Sequence, residues 1–165
     1  MTATSARPVP EQVLDLLRRG AATVSTAESL TGGQVAARLT SVPGASSVYR
    51  GGVVAYATDV KVSVLGVPGS VVAEHGVVSV ECAQAMARGV RALTGSTYGL
   101  ATTGVAGPSS QEGKAVGTVY VGLCGPGSEV VLELALTGDR AAIVGRTVDE
   151  ALTGLLDLLS TRVDE

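Results

Sequence analysis

Thr26-Ala27-Glu28-Ser29-Leu30-Thr31-Gly32-Gly33 decides how this chain is read. A β-prone run, Ala22-Thr23-Val24-Ser25, leads into it, and a helical pattern, Gln34-Val35-Ala36-Ala37-Arg38-Leu39, leads out. Hydroxyl groups and two glycines are therefore concentrated at a strand-to-helix junction. There the first backbone N–H groups of the helix lack internal partners, and the helix dipole adds positive potential. Ser29 is placed to act as a nucleophile, with those N–H groups as its expected oxyanion hole. The plainer alternative is that Ser29 or Thr31 only caps the helix.

Working outward, the next signal is a bias among the cations. Of 12 basic residues only Lys61 and Lys114 are lysines. A buried or crowded lysine can lose its proton and become a base, which arginine in practice cannot. Chance survival of two lysines in an arginine-using chain is the competing explanation.

Composition narrows the classes. The 165 residues are expected to form one domain over 11–162 behind a disordered tail at 1–10. Hydrophobic residues make up 45% and mean hydropathy is +0.38, yet no apolar run reaches the ~20 residues of a membrane span. A net charge of −3 and only four tyrosines as aromatics argue against nucleic-acid binding. Cys82 and Cys124 lack metal-ligand spacing and read as buried thiols of a cytoplasmic protein, and no signal-peptide pattern opens the chain. His75, before Gly76, reads as a helix-end residue, so neither a metal nor a cofactor is expected. Charged residues are only 16%, which favours a homodimer.

Helical patterns begin at Glu11, Thr31, Asp59, Ser70, Ser79 and Asp139. Strands are expected at 22–26, 48–56, 98–103, 115–124 and 129–136, with Ser109 to Gly113 as a mobile polar loop. The alternation predicts a three-layer α/β/α sandwich around a mixed, mostly parallel sheet of five to six strands. In such sheets ligands sit beyond the carboxyl ends of strands. Three strand ends carry chemistry: Glu28-Ser29-Leu30-Thr31-Gly32-Gly33, Tyr56-Ala57-Thr58-Asp59-Val60-Lys61 and Thr102-Thr103-Gly104-Val105-Ala106-Gly107-Pro108. If they converge, Ser29 meets Lys61 as base, Tyr56 as proton relay or lysine holder, and glycines that let backbone approach a ribose or phosphate.

At these segments the chain resembles the family of the CinA C-terminal domain, which includes the stand-alone nicotinamide mononucleotide amidohydrolases (PncC-like). Further matches are Gly52-Val53-Val54-Ala55-Tyr56, Lys61-Val62-Ser63-Val64-Leu65-Gly66-Val67, Glu74-His75-Gly76-Val77-Val78-Ser79, Lys114-Ala115-Val116-Gly117-Thr118-Val119-Tyr120 and Gly138-Asp139-Arg140. The resemblance spans about residues 10–160, and no counterpart of the long N-terminal domain of full-length CinA proteins is expected in this chain. It implies hydrolysis of the carboxamide of nicotinamide mononucleotide to nicotinic acid mononucleotide and ammonia. It also implies catalytic Ser29, Lys61 and Tyr56, with Glu28, Thr31, Gly32, Gly33, Thr103, Gly104, Gly107 and Arg140 around the substrate. Thr58, Ser109-Ser110, Ala115 and Val144 depart from the family pattern, and Arg146 is a further candidate for a phosphate. The alternative from another class is a catalytically silent nucleotide-binding module acting through a partner. A role in DNA uptake finds no support in charge or aromatics.

Overall fold

Side chains on a strand alternate between its two faces, and on β1 (Val24–Glu28) both faces are covered: all five residues are buried. The computed structural model describes residues 6–162. Around β1 it places α1 (Val9–Arg19), α2 (Gln34–Thr40), β2 (Tyr49–Val54), α3 (Thr58–Ser63), α4 (Gly69–His75) and α5 (Val80–Thr94). β3 (Tyr98–Gly104), β4 (Thr118–Gly125), β5 (Ser128–Ala135) and α6 (Arg140–Thr161) follow.

The five strands form one sheet in the order β2-β1-β3-β4-β5. β1 is parallel to β2 and β3, and β4 is antiparallel to both β3 and β5, so β4 alone runs against the others. Two apolar cores lie on opposite faces. Val13, Leu14 and Leu17 of α1 and Ile143, Val148, Leu152 and Leu155 of α6 cover Val24, Leu100 and Val121. On the other face Cys82, Met86, Ala87 and Val90 of α5 cover Ala27 and Ala101. The three-layer arrangement is therefore the expected one.

Caps set the long helices. Ser79 accepts from the Cys82 N–H at 3.1 Å and Gly95 ends α5 in a left-handed conformation. Asp139 accepts from the Ala142 N–H at 2.9 Å and starts α6. α5 also lies close to its neighbours. A Cβ at Gly89 would sit 1.9 Å from the Leu65 carbonyl oxygen; one at Gly99, 2.1 Å from that of Ala87; one at Gly122, 2.3 Å from that of Ala83. Only glycine permits these approaches.

Three expectations shift. β1 begins at Val24 rather than Ala22, because the Ala22 N–H donates back to Leu17 at 2.9 Å and closes α1. α1 begins at Val9, inside the segment expected as tail, of which residues 1–5 lie outside the described residues. Leu93, expected on the apolar side of α5, is 56% exposed. Leading out of the 109–113 loop, whose polar residues gave no turn type, Gln111 and Lys114 close a turn by reciprocal backbone bonds of 3.2 and 2.8 Å.

Candidate active site

The alternation on β1 continues one residue past its end, where the Ser29 N–H still donates to Thr102 O at 3.0 Å. Glu28 therefore turns to the α2 face and Ser29 to the α3 face. These opposite directions give the two residues different partners.

Glu28 is 1% exposed. Its carboxylate accepts from the Val35 N–H (2.8 Å), the Ala36 N–H (3.1 Å) and the Thr31 hydroxyl (2.6 Å), and Thr31 also bonds Thr102 Oγ1 at 2.8 Å. Gln34 and Ala37 donate to Thr31 O and Gly33 O, each at 2.9 Å. The α2 N–H groups expected as an oxyanion hole are thus already satisfied, by a carboxylate from the preceding strand and by local carbonyls. Glu28, Thr31, Gly32 and Gly33, expected around the substrate, are not among the cleft-lining residues. Thr31 does not cap α2 through its own side chain; Gly33, with φ of 101°, is the cap position.

Ser29 meets Lys61. The Lys61 Nζ lies 2.9 Å from Ser29 Oγ, and it donates to the backbone carbonyls of Ala55 at 2.8 Å and Tyr56 at 3.1 Å. Lys61 is 1% exposed and is among the largest fully buried side chains. Burial pushes its pKa below the ordinary 10.5, while Cys82 and Glu112 nearby push it weakly upward. Burial likewise pushes the Cys82 thiol up to about 11. The geometry has a chemical reading. As an ammonium, Lys61 donates to both carbonyls and to Ser29 Oγ; as a neutral amine with its two N–H bonds on the carbonyls, it would turn its lone pair to the serine hydroxyl.

The cleft holding this pair is small, with a cavity volume of about 150 Å³, below the usual span of small-molecule sites. It is lined by Ser29, Leu30, Tyr56, Thr58, Lys61, Val77, Val78, Thr103, Gly104 to Gly107, Ser109, Gln111 and Arg140. The three strand ends identified from sequence converge here, joined by the start of α6. Among the described residues no Asp or Glu lines the cleft, whereas Arg140 does, so an anionic group is favoured near it.

Other expected residues are placed differently from their expected tasks. The Tyr56 side chain is 58% exposed and its hydroxyl accepts from Arg140 at 2.7 Å; it touches Lys61 through its carbonyl, not its phenol. Arg140 also donates to Gly107 O at 2.5 Å. Thr103 Oγ1 donates to Val77 O at 2.7 Å. Gly104 makes room for β4, since a Cβ there would lie 2.7 Å from Thr118 O; Gly107, with φ of 91°, makes room for Val116. Arg146 is not a cleft residue and pairs with Glu150 at 3.2 Å on the surface. His75 ends α4 before Gly76, as expected. Val77, Val78 and Gln111 line the cleft without having been expected there; the two valines lie in the family-matching 74–79 segment, and Gln111 is marked only by its place in the 109–114 turn. Among the described residues no His, Cys, Asp and Glu group is arranged to hold a metal, and no helix is long and apolar enough to cross a membrane.

Comparison with known proteins gives consistent matches. The family model of the CinA C-terminal domain matches residues 6–159. A CinA-like protein of Frankia casuarinae is 55% identical over 140 residues, which is 85% of this chain and 32% of that protein. The chain spans about a third of the length of the curated relatives it matches. Among solved structures, a competence-damaged protein (CinA) superfamily protein from Klebsiella pneumoniae 700603 superposes with a TM-score of 0.89 at 32% identity, covering 94% of this chain and 99% of that one. The competence/damage inducible protein CihA from Agrobacterium tumefaciens gives 0.85 at 32% identity, with coverage of 94% and 99%.

Proposed function

The chain belongs to the CinA C-terminal domain family, and from that premise and the Ser29–Lys61 contact we propose that it is an amidohydrolase acting on the carboxamide of nicotinamide mononucleotide. The observation that carries the reading is a buried lysine, depressed in pKa, whose amine is held by two carbonyls and faces a serine hydroxyl at 2.9 Å. Such a pair is a nucleophile with its base.

In the proposed reaction neutral Lys61 takes the Ser29 proton as Oγ attacks the carboxamide carbon. The carbonyl oxygen becomes an oxyanion. Its candidate donors are the N–H groups of Leu30, Ala106 and Gly107, which among the described residues make no hydrogen bond. Lys61 then protonates the departing nitrogen, ammonia leaves, and an ester to Ser29 remains. Lys61 next takes a proton from water, whose oxygen attacks the ester carbonyl. Return of that proton to Ser29 as the ester C–O bond breaks releases the carboxylic acid, which loses its proton to water and leaves as the carboxylate. Arg140, at the mouth of the cleft, is the cation for the substrate phosphate, exchanging its Tyr56 and Gly107 bonds for the anion.

Ammonia release from nicotinamide mononucleotide, its riboside and free nicotinamide tests the reading. Turnover of the mononucleotide that depends on Ser29 supports it. Binding of the mononucleotide without ammonia release would instead favour the silent nucleotide-binding module.

A further inference from the structure

The far wall of the cleft is held by a residue that does not line it. Glu112 lies in the turn between Ser109 and Lys114, and both its carboxylate oxygens accept from the Val77 N–H at 3.1 Å. The Val77 carbonyl is taken from the other side by Thr103 Oγ1 at 2.7 Å. Lys114 Nζ, two residues on, donates to the carbonyl of Val78. Val77 and Val78 form one wall of the cleft, and Ser109 and Gln111 another. Glu112 and Lys114 therefore fasten one wall to the other.

One backbone feature shows that this clasp is specific. The φ of +53° at Glu112 and +72° at Gly113 belong to the two-residue Gln111–Lys114 turn, which takes left-handed conformations at both central positions. Opposite Glu112 stands Gly76, where a Cβ would lie 1.7 Å from Glu112 Oε2. Glycine is the one residue type there that leaves room for the carboxylate.

We propose that Glu112 is a positioning residue of this site, clasping the 109–114 turn to the 76–78 segment and so setting the width of the cleft in front of Ser29 and Lys61. The proposal rests on the amidohydrolase reading. The charged and titratable groups around the Lys61 amine are Cys82 of α5, Glu112 of the turn, and Tyr56 and Arg140 across the cleft. Of these Glu112 is the carboxylate, and its charge favours the ammonium form.

Glu112→Ala and Glu112→Gln, assayed with the mononucleotide and by amide hydrogen exchange, test it. Glu112→Ala is expected to raise KM about tenfold while kcat stays within about threefold, because a misplaced wall weakens binding more than chemistry. Exchange at the Val77 amide should quicken by about tenfold or more as its acceptor is lost. Glu112→Gln keeps an acceptor for Val77 and should restore KM and Val77 exchange to within about threefold of the parent, a rescue that a general loss of packing would not show. Parent-like KM and parent-like Val77 exchange in Glu112→Ala would overturn the proposal. So would failure of Glu112→Gln, the variant that decides if the alanine fails to fold, to keep Val77 exchange within that range. Should the parent release no ammonia, the amidohydrolase reading fails by itself, and Val77 exchange, which needs no turnover, still judges the clasp.

Discussion

Lys61 is required to be neutral for the proposed chemistry, and its surroundings make neutrality accessible. Lys61→Arg is therefore expected to lose nearly as much activity as Lys61→Ala, because arginine keeps its charge at any working pH; kcat/KM near the parent's would reassign Lys61 as a binding cation. Ser29→Ala should lower kcat by several orders of magnitude without changing the thermal transition, and substantial turnover in the folded variant would remove Ser29 as nucleophile. Burial lowers the Lys61 pKa, so the folded state binds fewer protons than the unfolded one between that lowered value and 10.5. Stability drawn from Lys61 thus rises with pH across that window and is lost as pH falls through the folded pKa. The difference in unfolding free energy between parent and Lys61→Met should follow this slope; a difference independent of pH would contradict it. Ser29 and Lys61 were legible in sequence because a nucleophile and a retained lysine are chemical types. The hydroxyl of Tyr56 was not: an aromatic after a strand says nothing about which cation will meet it.

The elements carry the corrections. An acidic residue before Ser29 reads as a substrate contact, yet one residue of strand phase turns Glu28 to the other face and makes it the cap of α2. The sequence reading ends this strand at Thr26; pairing with Val54 of β2 and Thr102 of β3 carries it on to Glu28, and such distant partners are reported by no local pattern. Glu28→Ala should destabilise the protein by about 3 kcal/mol, since it leaves buried N–H groups without an acceptor; chemical denaturation showing a loss under about 1 kcal/mol would refute the capping role. At the other end of the site the start of α6 presents Arg140 to the cleft. Arg140→Ala is expected to erase much of the preference for mononucleotide over riboside, a charge-assisted contact contributing about 1.5–3 kcal/mol. The ratio of the two kcat/KM values reads this directly, and an unchanged ratio would leave the phosphate without its cation.

At the scale of the whole molecule the layered α/β class was the easiest part to anticipate and the spacing between layers the hardest. Alternating helix and strand patterns imply covered sheet faces. They do not by themselves reveal that β4 alone runs backwards; the short Gly125-Pro126-Gly127 stretch between two β-prone runs is the local signal of its hairpin with β5. Cys82 and Cys124 are buried, one on α5 and the other on β4, and the Cys82 thiol is pushed up to about 11. Thiol labelling of the native protein should accordingly be slow at both and should accelerate only as denaturant unfolds the chain; rapid labelling of Cys82 under native conditions would show that α5 lifts from the sheet alone. The close seat of α5 has a consequence for inheritance as well. Gly89 touches the Leu65 carbonyl, just beyond the short helix bearing Lys61, while Gly99 and Gly122 touch α5 from β3 and β4. In a library of random variants selected only for turnover, these three codons should be almost as intolerant of change as those for Ser29 and Lys61, although none of them borders the cleft. A lineage carrying this chain would then drift freely over its surface while a buried track of hydrogen atoms stayed frozen.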